Sequence, residues 1–409
     1  MPNGTVVSPW LRDSPGALLG LFRASTNGLT KSEAVRRSGL SRTAINQRLS
    51  LLLAARLLQP TDVGARTGGR PADRFHLNRD QGVILIADTG ATGMRVALCD
   101  MVAAVLEEAY ERIDITDGPA AVLSRVKRLF DEFLDRQGRT PSEVLGIGID
   151  VPGPVDHDSG RVVSPPIMTG WHDFDISAYF RPHYECPVIV EKDVNAMAFG
   201  EHRLVHADTS DIVFVKLGTG VGTGLVIDGE IYRGADGAAG DVGHIPLEAN
   251  ATGTDAPVCR CGNLGCIEAY AGGWALVRDL KALGRPVDSI DDVIREALEG
   301  RQDATRLMRQ AATIIGTAVS DLVNILNPRT IVIGGQLAAV QELLFAGVRE
   351  VVYRRSLPLA TRELRIVPSA LDGRAGVHGL ARLVTDEVYS VERINRLVGT
   401  LSQGVTPVA

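Results

Sequence analysis

Three cysteines crowd into VCRCGNLGC, at Cys259, Cys261 and Cys266, and His244 stands upstream of them in DVGHI. Three thiolates and one imidazole make the donor set of a closed tetrahedral zinc site. Such a site is structural, because no position stays open for water. It would tie residues 244–268 into one piece and couple the order of that piece to metal. The alternative is a trio of reduced surface thiols. Glu268 follows two residues after the last cysteine, so the metal would hold its carboxylate in place. A second stretch, ADTGATGMRVAL at 87–98, carries an apolar run into a tight turn at Asp88, Gly90 and Thr92 and returns as an apolar strand. Turns of this kind offer backbone N–H groups to a phosphate. LGTGVGTG, with Gly218, Thr219 and Gly220, and IVIGGQ, with Gly334 and Gly335, repeat the scheme.

The elements that must position these residues follow from the rest of the chain. At 409 residues it exceeds one ordinary domain, and 45% hydrophobic residues with a net charge of −6 exclude a disordered or fibrous protein. The first residues lack the pattern of a secretory signal, and no apolar run approaches a membrane span. An odd cysteine count with one tight cluster argues against a disulfide framework, and the expected location is the cytoplasm. Charge is uneven: residues 1–80 hold 12 Lys and Arg against 5 Asp and Glu, while the remainder is acidic. A basic module joined to an acidic one suggests that the first part meets a polyanion.

Within residues 15–80, PGALLGLFRA has helical apolar spacing, and Thr30 with Glu33 forms a capping box for a second helix. Gly39 then turns the chain, and Ser41 caps a third helix, SRTAINQRLSLLLAARLL. Two helices joined this way are a helix-turn-helix, whose second helix enters the major groove. Ala44, Ile45, Leu49 and Leu52 take core spacing, which leaves Arg42, Thr43, Asn46 and Gln47 for base edges and phosphates. TDVGARTGGRPADRFHLN reads as two short strands around a glycine turn bearing Arg66, Arg70 and Arg74. This is a wing that could set an arginine in the minor groove. The competing reading is a three-helix protein-interaction module with a solvated basic face. The expected boundary places a winged helix-turn-helix in 1–80 and an α/β unit in 83–409. In that unit, VILIADTG and RVALCD look like a buried hairpin that recurs in DIVFVKLGTGVGTGLVIDGE. The recurrence suggests a duplicated fold with a ligand between two lobes.

With these residues in hand the chain resembles the ROK family of repressors, open reading frames and kinases. DTGATGMRVAL, GIGIDVPGPVD, VEKDVNAMAFGE, LGTGVGTG, GAAGDVGHI, CRCGNLGCIEAYAGG, IVIGGQ and GRAGVHGLA carry the resemblance. It implies a two-lobed actin-like, sugar-kinase (ribonuclease H-like) fold. Members with a winged helix are mostly sugar-responsive repressors, and those without one are mostly sugar kinases. By position, Asp193 matches the family's catalytic base, while Asp241, His244 and Glu268 match the grip on sugar hydroxyls. Asp88, Gly90, Thr92, Gly218, Thr219 and Gly220 match the phosphate turns, and Gly334 and Gly335 the nucleotide end.

Departures from the family pattern weigh against phosphoryl transfer. Ala91 replaces a glycine, and Gly93 stands where a lysine is usual. If that glycine needs a left-handed backbone, Ala91 is strained. Thr223 and Gln336 replace further glycines. Together they suggest a degenerate site, with ATP and Mg2+ not expected. Lys192 replaces an asparagine, and Asp241 a glutamate. Lys192 either faces an anionic group, as in a sugar phosphate, or pairs with Asp193 or Asp241, and either way weakens Asp193 as a base. The favoured reading is a regulator in which sugar closes the cleft and the linker at Arg79–Gly82 moves DNA-binding heads in a homodimer or homotetramer. The alternative is an ATP-dependent sugar kinase. VERINRLVGTLSQG near the C-terminus reads as a helix to which no role is assigned.

Overall fold

The computed structural model describes residues 13–61, 73–247, 256–371 and 373–402. Ser14 accepts the Ala17 N–H and starts α1 (Pro15–Arg23), with Pro15 in the first turn, where a missing N–H costs nothing. β1 (Leu29–Thr30) leads into α2 (Lys31–Ser38), opened by reciprocal Thr30–Glu33 bonds and closed by Gly39 at φ +73°. Ser41 caps α3 (Arg42–Ala54). The expected helix through Leu58 stops early: Arg56 turns left-handed at φ +57°, and Leu58–Pro60 becomes β2. β3 (Arg74–Leu77) pairs antiparallel with both β1 and β2. Buried Leu57 and Leu58 therefore serve this small sheet, not a longer helix. Three helices and a three-stranded sheet make a winged helix-turn-helix. Arg66 and Arg70, at the expected wing tip, lie outside the described residues. Arg74 turns back instead, donating to the Gly28 carbonyl at 2.7 Å and pairing with Glu33.

The body repeats one topology twice. β4 (Val83–Thr89), β5 (Gly93–Asp100) and β6 (Val105–Arg112) form an antiparallel meander. After α4 (Pro119–Arg136), β7 (Val144–Val151) adds parallel to β4. The hairpin β8 (Val155–Asp156) and β9 (Arg161–Val162) and α5 (Ile176–Phe180) precede β10 (Val188–Lys192), which adds parallel to β7. α6 (Asp193–Leu204) then crosses to the second lobe. There β11 (Ile212–Leu217), β12 (Val221–Ile227) and β13 (Glu230–Ile231) repeat the meander. α7 (Glu268–Ala271), α8 (Gly273–Ala282), α9 (Ile290–Leu298) and α10 (Gln302–Leu326) follow. β14 (Thr330–Gly334) adds parallel to β11, and β15 (Arg365–Pro368) to β14, with α11 (Gln341–Arg355) and α12 (Pro358–Thr361) between them. Sheet orders β10-β7-β4-β5-β6 and β13-β12-β11-β14-β15 are thus the same unit read from opposite edges, as the repeated hairpin suggested.

Two last helices bind the parts together. α13 (Ala375–Val388) lies against α6 with backbones in contact, since a Cβ on Gly379 would fall 1.8 Å from the Ala196 carbonyl oxygen. α14 (Val391–Ser402), the helix without an assigned role, packs on α1 of the winged helix. Asn395 accepts the Gly16 N–H at 2.9 Å, and Arg23 pairs with Asp386 while lying over the Tyr389 ring. One apolar cluster runs from Leu18, Leu19 and Phe22 through Ile394 and Val398 to Leu380 and Ile86. The linker is pinned as well, by Arg79 on buried Asp100 and by Gly82 against the Glu143 carbonyl. Among the described residues no helix is long and apolar enough to cross a membrane.

Candidate functional site

Parallel strands place ligands beyond their carboxyl ends, and a cavity of about 580 Å3 opens there between the lobes. The β4–β5 turn contributes Asp88, Gly90 and Thr92, and the β10–α6 junction contributes Lys192 and Asp193. Gly218, Thr219 and Gly220 come from the β11–β12 turn, and Gly334 and Gly335 follow β14. Asp241, His244 and Glu268 close the far wall. Every cleft residue anticipated from the sequence therefore lines this one cavity.

Of the two pairings expected for Lys192, one is present inside it. Lys192 does not neutralise Asp193; its ammonium reaches Asp241 at 3.7 Å. Asp193 is held instead by Lys216 of β11, a residue the sequence reading passed over. One charged side chain in the apolar run IVFVKL, two residues before the glycine turn, was the available signal. The other Asp193 oxygen accepts the Val194 N–H at 2.7 Å. Neighbouring Glu191 is also committed, to both Nε and a terminal nitrogen of Arg233. Glu268 accepts the Val221 N–H at 3.0 Å and the Trp274 indole N–H at 3.1 Å. A carboxylate offers about four lone-pair positions, so Glu268 still has capacity for a hydroxyl.

Two of the supposed losses in the phosphate turns have other causes. Ala91 has no left-handed backbone, and its methyl group packs on the core of the first lobe, so the expected strain is absent. Thr223 is fully buried and donates to the Gly240 carbonyl at 2.6 Å, anchoring the loop that carries Asp241. Gly93 is a real departure. A Cβ there would lie 2.3 Å from the Tyr110 hydroxyl, so the Tyr110 ring fills the space a lysine stem would need. Arg95 stacks on that ring at 5.5 Å and pairs with Glu108.

Below the turn, Asp150 accepts the Thr89 N–H at 2.8 Å through one oxygen. Its other oxygen is buried with no hydrogen-bond partner among the described residues. Burial, then the charges of Asp88 and Asp193, hold the Asp150 carboxyl well above the usual range. Burial likewise lifts Asp88 from 3.8 to about 6, against the pull of Lys216. A carboxyl whose folded pKa is raised favours folding when protonated, so its contribution falls as pH rises from about 4 through about 6. Asp88→Asn should therefore stabilise the protein at pH 8 by on the order of 1–2 kcal/mol, discounted for the open side of the cleft. The gap should close as pH falls toward the ordinary aspartate range. Melting curves of both proteins across pH check this; a gap that widens in acid overturns it.

His244, Cys259, Cys261 and Cys266 form a cluster whose ligand atoms all lie within 4.8 Å of one another. Cys259 Sγ is 3.6 Å from His244 Nδ1, and Cys261 and Cys266 Sγ are 3.7 Å apart. A tetrahedral site with metal–sulfur bonds of about 2.3 Å has edges of roughly 3.5–3.8 Å, so the four residues fit a metal ion. Binding through Nδ1 leaves His244 Nε2 for the cleft. Antiparallel bridges Val258–Leu264 and Pro246–Cys266 bring the ligands together.

On the winged helix, Arg42, Thr43, Asn46 and Gln47 are exposed over the first two turns of α3, while Ile45, Leu49 and Leu52 are buried. Arg48 donates its Nε–H to the Asp13 carbonyl.

Residues 85–387 match the sequence model of the ROK family. The chain belongs to the ROK family. Among its relatives, the xylose repressor of Caldicellulosiruptor bescii is 31% identical over 341 residues, covering 80% of this chain and 84% of that protein. The glucokinase of Thermotoga maritima is 28% identical and covers 74% of this chain but 96% of its own length. The crystal structure of a ROK family transcriptional regulator, a homologue of the E. coli MLC protein, superposes with TM-score 0.79 at 25% identity. It covers 95% of this chain and 99% of its own, which leaves too few residues uncovered to omit the winged helix. A ROK kinase is thus matched by three quarters of this chain, and a ROK regulator by nearly all of it.

Proposed function

We propose that this ROK protein is a sugar-responsive, DNA-binding transcriptional regulator, a repressor of carbohydrate-related genes. The observation that carries the reading is a winged helix joined by one core to the first lobe of a two-lobed, sugar-type cleft. Exposed Arg42, Thr43, Asn46 and Gln47 read an operator, joined by Arg66 and Arg70. In the cleft, Asp193, Asp241, Glu268 and His244 Nε2 accept or donate to sugar hydroxyls. The Lys192–Asp241 pair favours an uncharged sugar over a sugar phosphate. The Cys3His cluster holds structural zinc, whose chemistry here is to fix the loop carrying Glu268. The protein works in the cytoplasm as a homodimer or homotetramer, because winged helices read paired half-sites. A sugar kinase is the second reading, favoured by Asp193 at the family's base position in the cleft; the degenerate turns at Gly93 and Gln336 oppose it.

The test uses the full-length, zinc-loaded protein to select fragments from its own genome, followed by anisotropy titrations on the selected DNA. D-xylose is the first effector to try, given the name of the relative. Binding should weaken by tenfold or so as sugar is added. Absence of selected DNA, or phosphorylation of the sugar by ATP at turnover rates, would overturn the reading.

A further inference from the structure

Asp88 and Asp193 line the cleft from the ends of two strands, and Asp150, buried beneath them near the end of a third, adds its charge to theirs. Carboxylates gathered beside phosphate-type turns are what a divalent cation and its nucleotide require. In this protein a side chain already answers that charge. Lys216 projects from β11 to hydrogen-bond Asp193 Oδ2 and lies within electrostatic reach of both Asp88 and Asp150. Asp150 is 0% exposed and has, among the described residues, no donor for one oxygen, beside an Asp88 close enough to bond it once a proton sits between them.

We propose that Lys216 is a built-in cation that takes the place of a divalent metal in this cluster and selects an uncharged ligand bound without metal or nucleotide. One ammonium and one shared proton then neutralise most of the three carboxylates. The cluster does not fit Mg2+–nucleotide, because an incoming ion would have to displace an ammonium that is hydrogen-bonded in place. Asp193 is changed in kind by the same contact. With Lys216 on one oxygen and the Val194 N–H on the other, it is held as a hydrogen-bond acceptor for a sugar hydroxyl. Tyr110, standing over Gly93, obstructs the phosphate side in addition. The inference rests on the sugar-cleft reading above and names the residue that sets its ligand class.

Mn2+ alone is the probe, followed by electron paramagnetic resonance on the full-length, zinc-loaded protein. Lys216→Met and Lys216→Gln should each gain one Mn2+ site at least tenfold tighter than any in the unmodified protein. Adding Asp193→Asn should abolish that gain. Equal binding by all the proteins overturns the proposal, and so does a variant that folds yet gains no site. If neither variant folds, the lysine ammonium resonances of the 15N-labelled natural protein decide. A Lys216 signal unmoved by millimolar Mg2+ and Mg-ATP supports the proposal, and a displaced one overturns it. The probe needs no sugar and no DNA, so a negative result leaves the regulator reading intact. Failure of the sugar and DNA titrations leaves the Mn2+ result standing.

Discussion

Gly379→Ala should destabilise the protein by about 3 kcal/mol, the upper end of what overpacking usually costs. The added Cβ would fall 1.8 Å from the Ala196 carbonyl oxygen and 2.7 Å from its carbon, and Gly200 meets α13 in the same way at Ala375. Both sides of the contact are backbone, so no flexible side chain can yield and the helices must part. α13 has a role beyond packing. Its second residue, Gly376, lies against the Asp88 carboxylate, and its far end carries Asp386 beside Arg23 of the winged helix. A helix of 14 residues thus spans from cleft to head, and loosening its seat on α6 should also blunt the response of DNA binding to sugar. The control is Gly399→Ala in α14, where a Cβ meets nothing within 4 Å. That change should be neutral or stabilise by up to about 1 kcal/mol through helix propensity. Urea melts of both variants check the pair; similar losses in the two would show that the contact is not tight.

The second large effect is expected at the cysteine cluster. Cys266→Ser should remove the bound metal, lower the melting temperature and weaken sugar binding by up to about a hundredfold, the upper range for disturbed metal sites. The reasoning runs through chain order. Cys266 is 0% exposed and is followed within two residues by Glu268, which opens α7 and holds both the Val221 N–H and the Trp274 indole. Releasing the loop frees Glu268, and with it the β11–β12 turn that lines the cleft. Metal analysis, differential scanning calorimetry with and without chelator, and sugar titration check this together. If chelation strips the metal but leaves melting and sugar affinity unchanged, the cluster does not organise the cleft.

What the sequence disclosed was mostly local or chemically constrained. Thr30 and Glu33 cap a helix three residues apart, Gly39 ends it, and Ser41 starts the next, so the winged helix was legible before any contact was known. The cysteine spacing and the residues around the cleft were legible for a similar reason, since their types admit few uses. Pairings across the chain were not. Lys216 meets Asp193 at a separation of 23 residues, and strand alternation says only that it faces one side of a sheet. Ala91 looked costly because its backbone angle was unknown, and Thr223 looked like a lost glycine because Gly240, its acceptor, lies 17 residues away. α14 read as a helix with no purpose, since its partner Gly16 is 379 residues earlier.

That last contact has a consequence for how such regulators diverge. The winged helix shares its core with the last described helix, so residues 13–82 cut out by themselves would lose Ile394 and Val398 from that cluster and the Asn395 bond to Gly16. A head exchanged between two relatives must bring α14 with it, although the two segments are separated by 379 residues of chain. Recombination at one junction would yield a mismatched molecule, and compatible pairs of ends should be inherited together. Specificity for DNA and the last dozen residues of the described chain are, in this architecture, one unit of change.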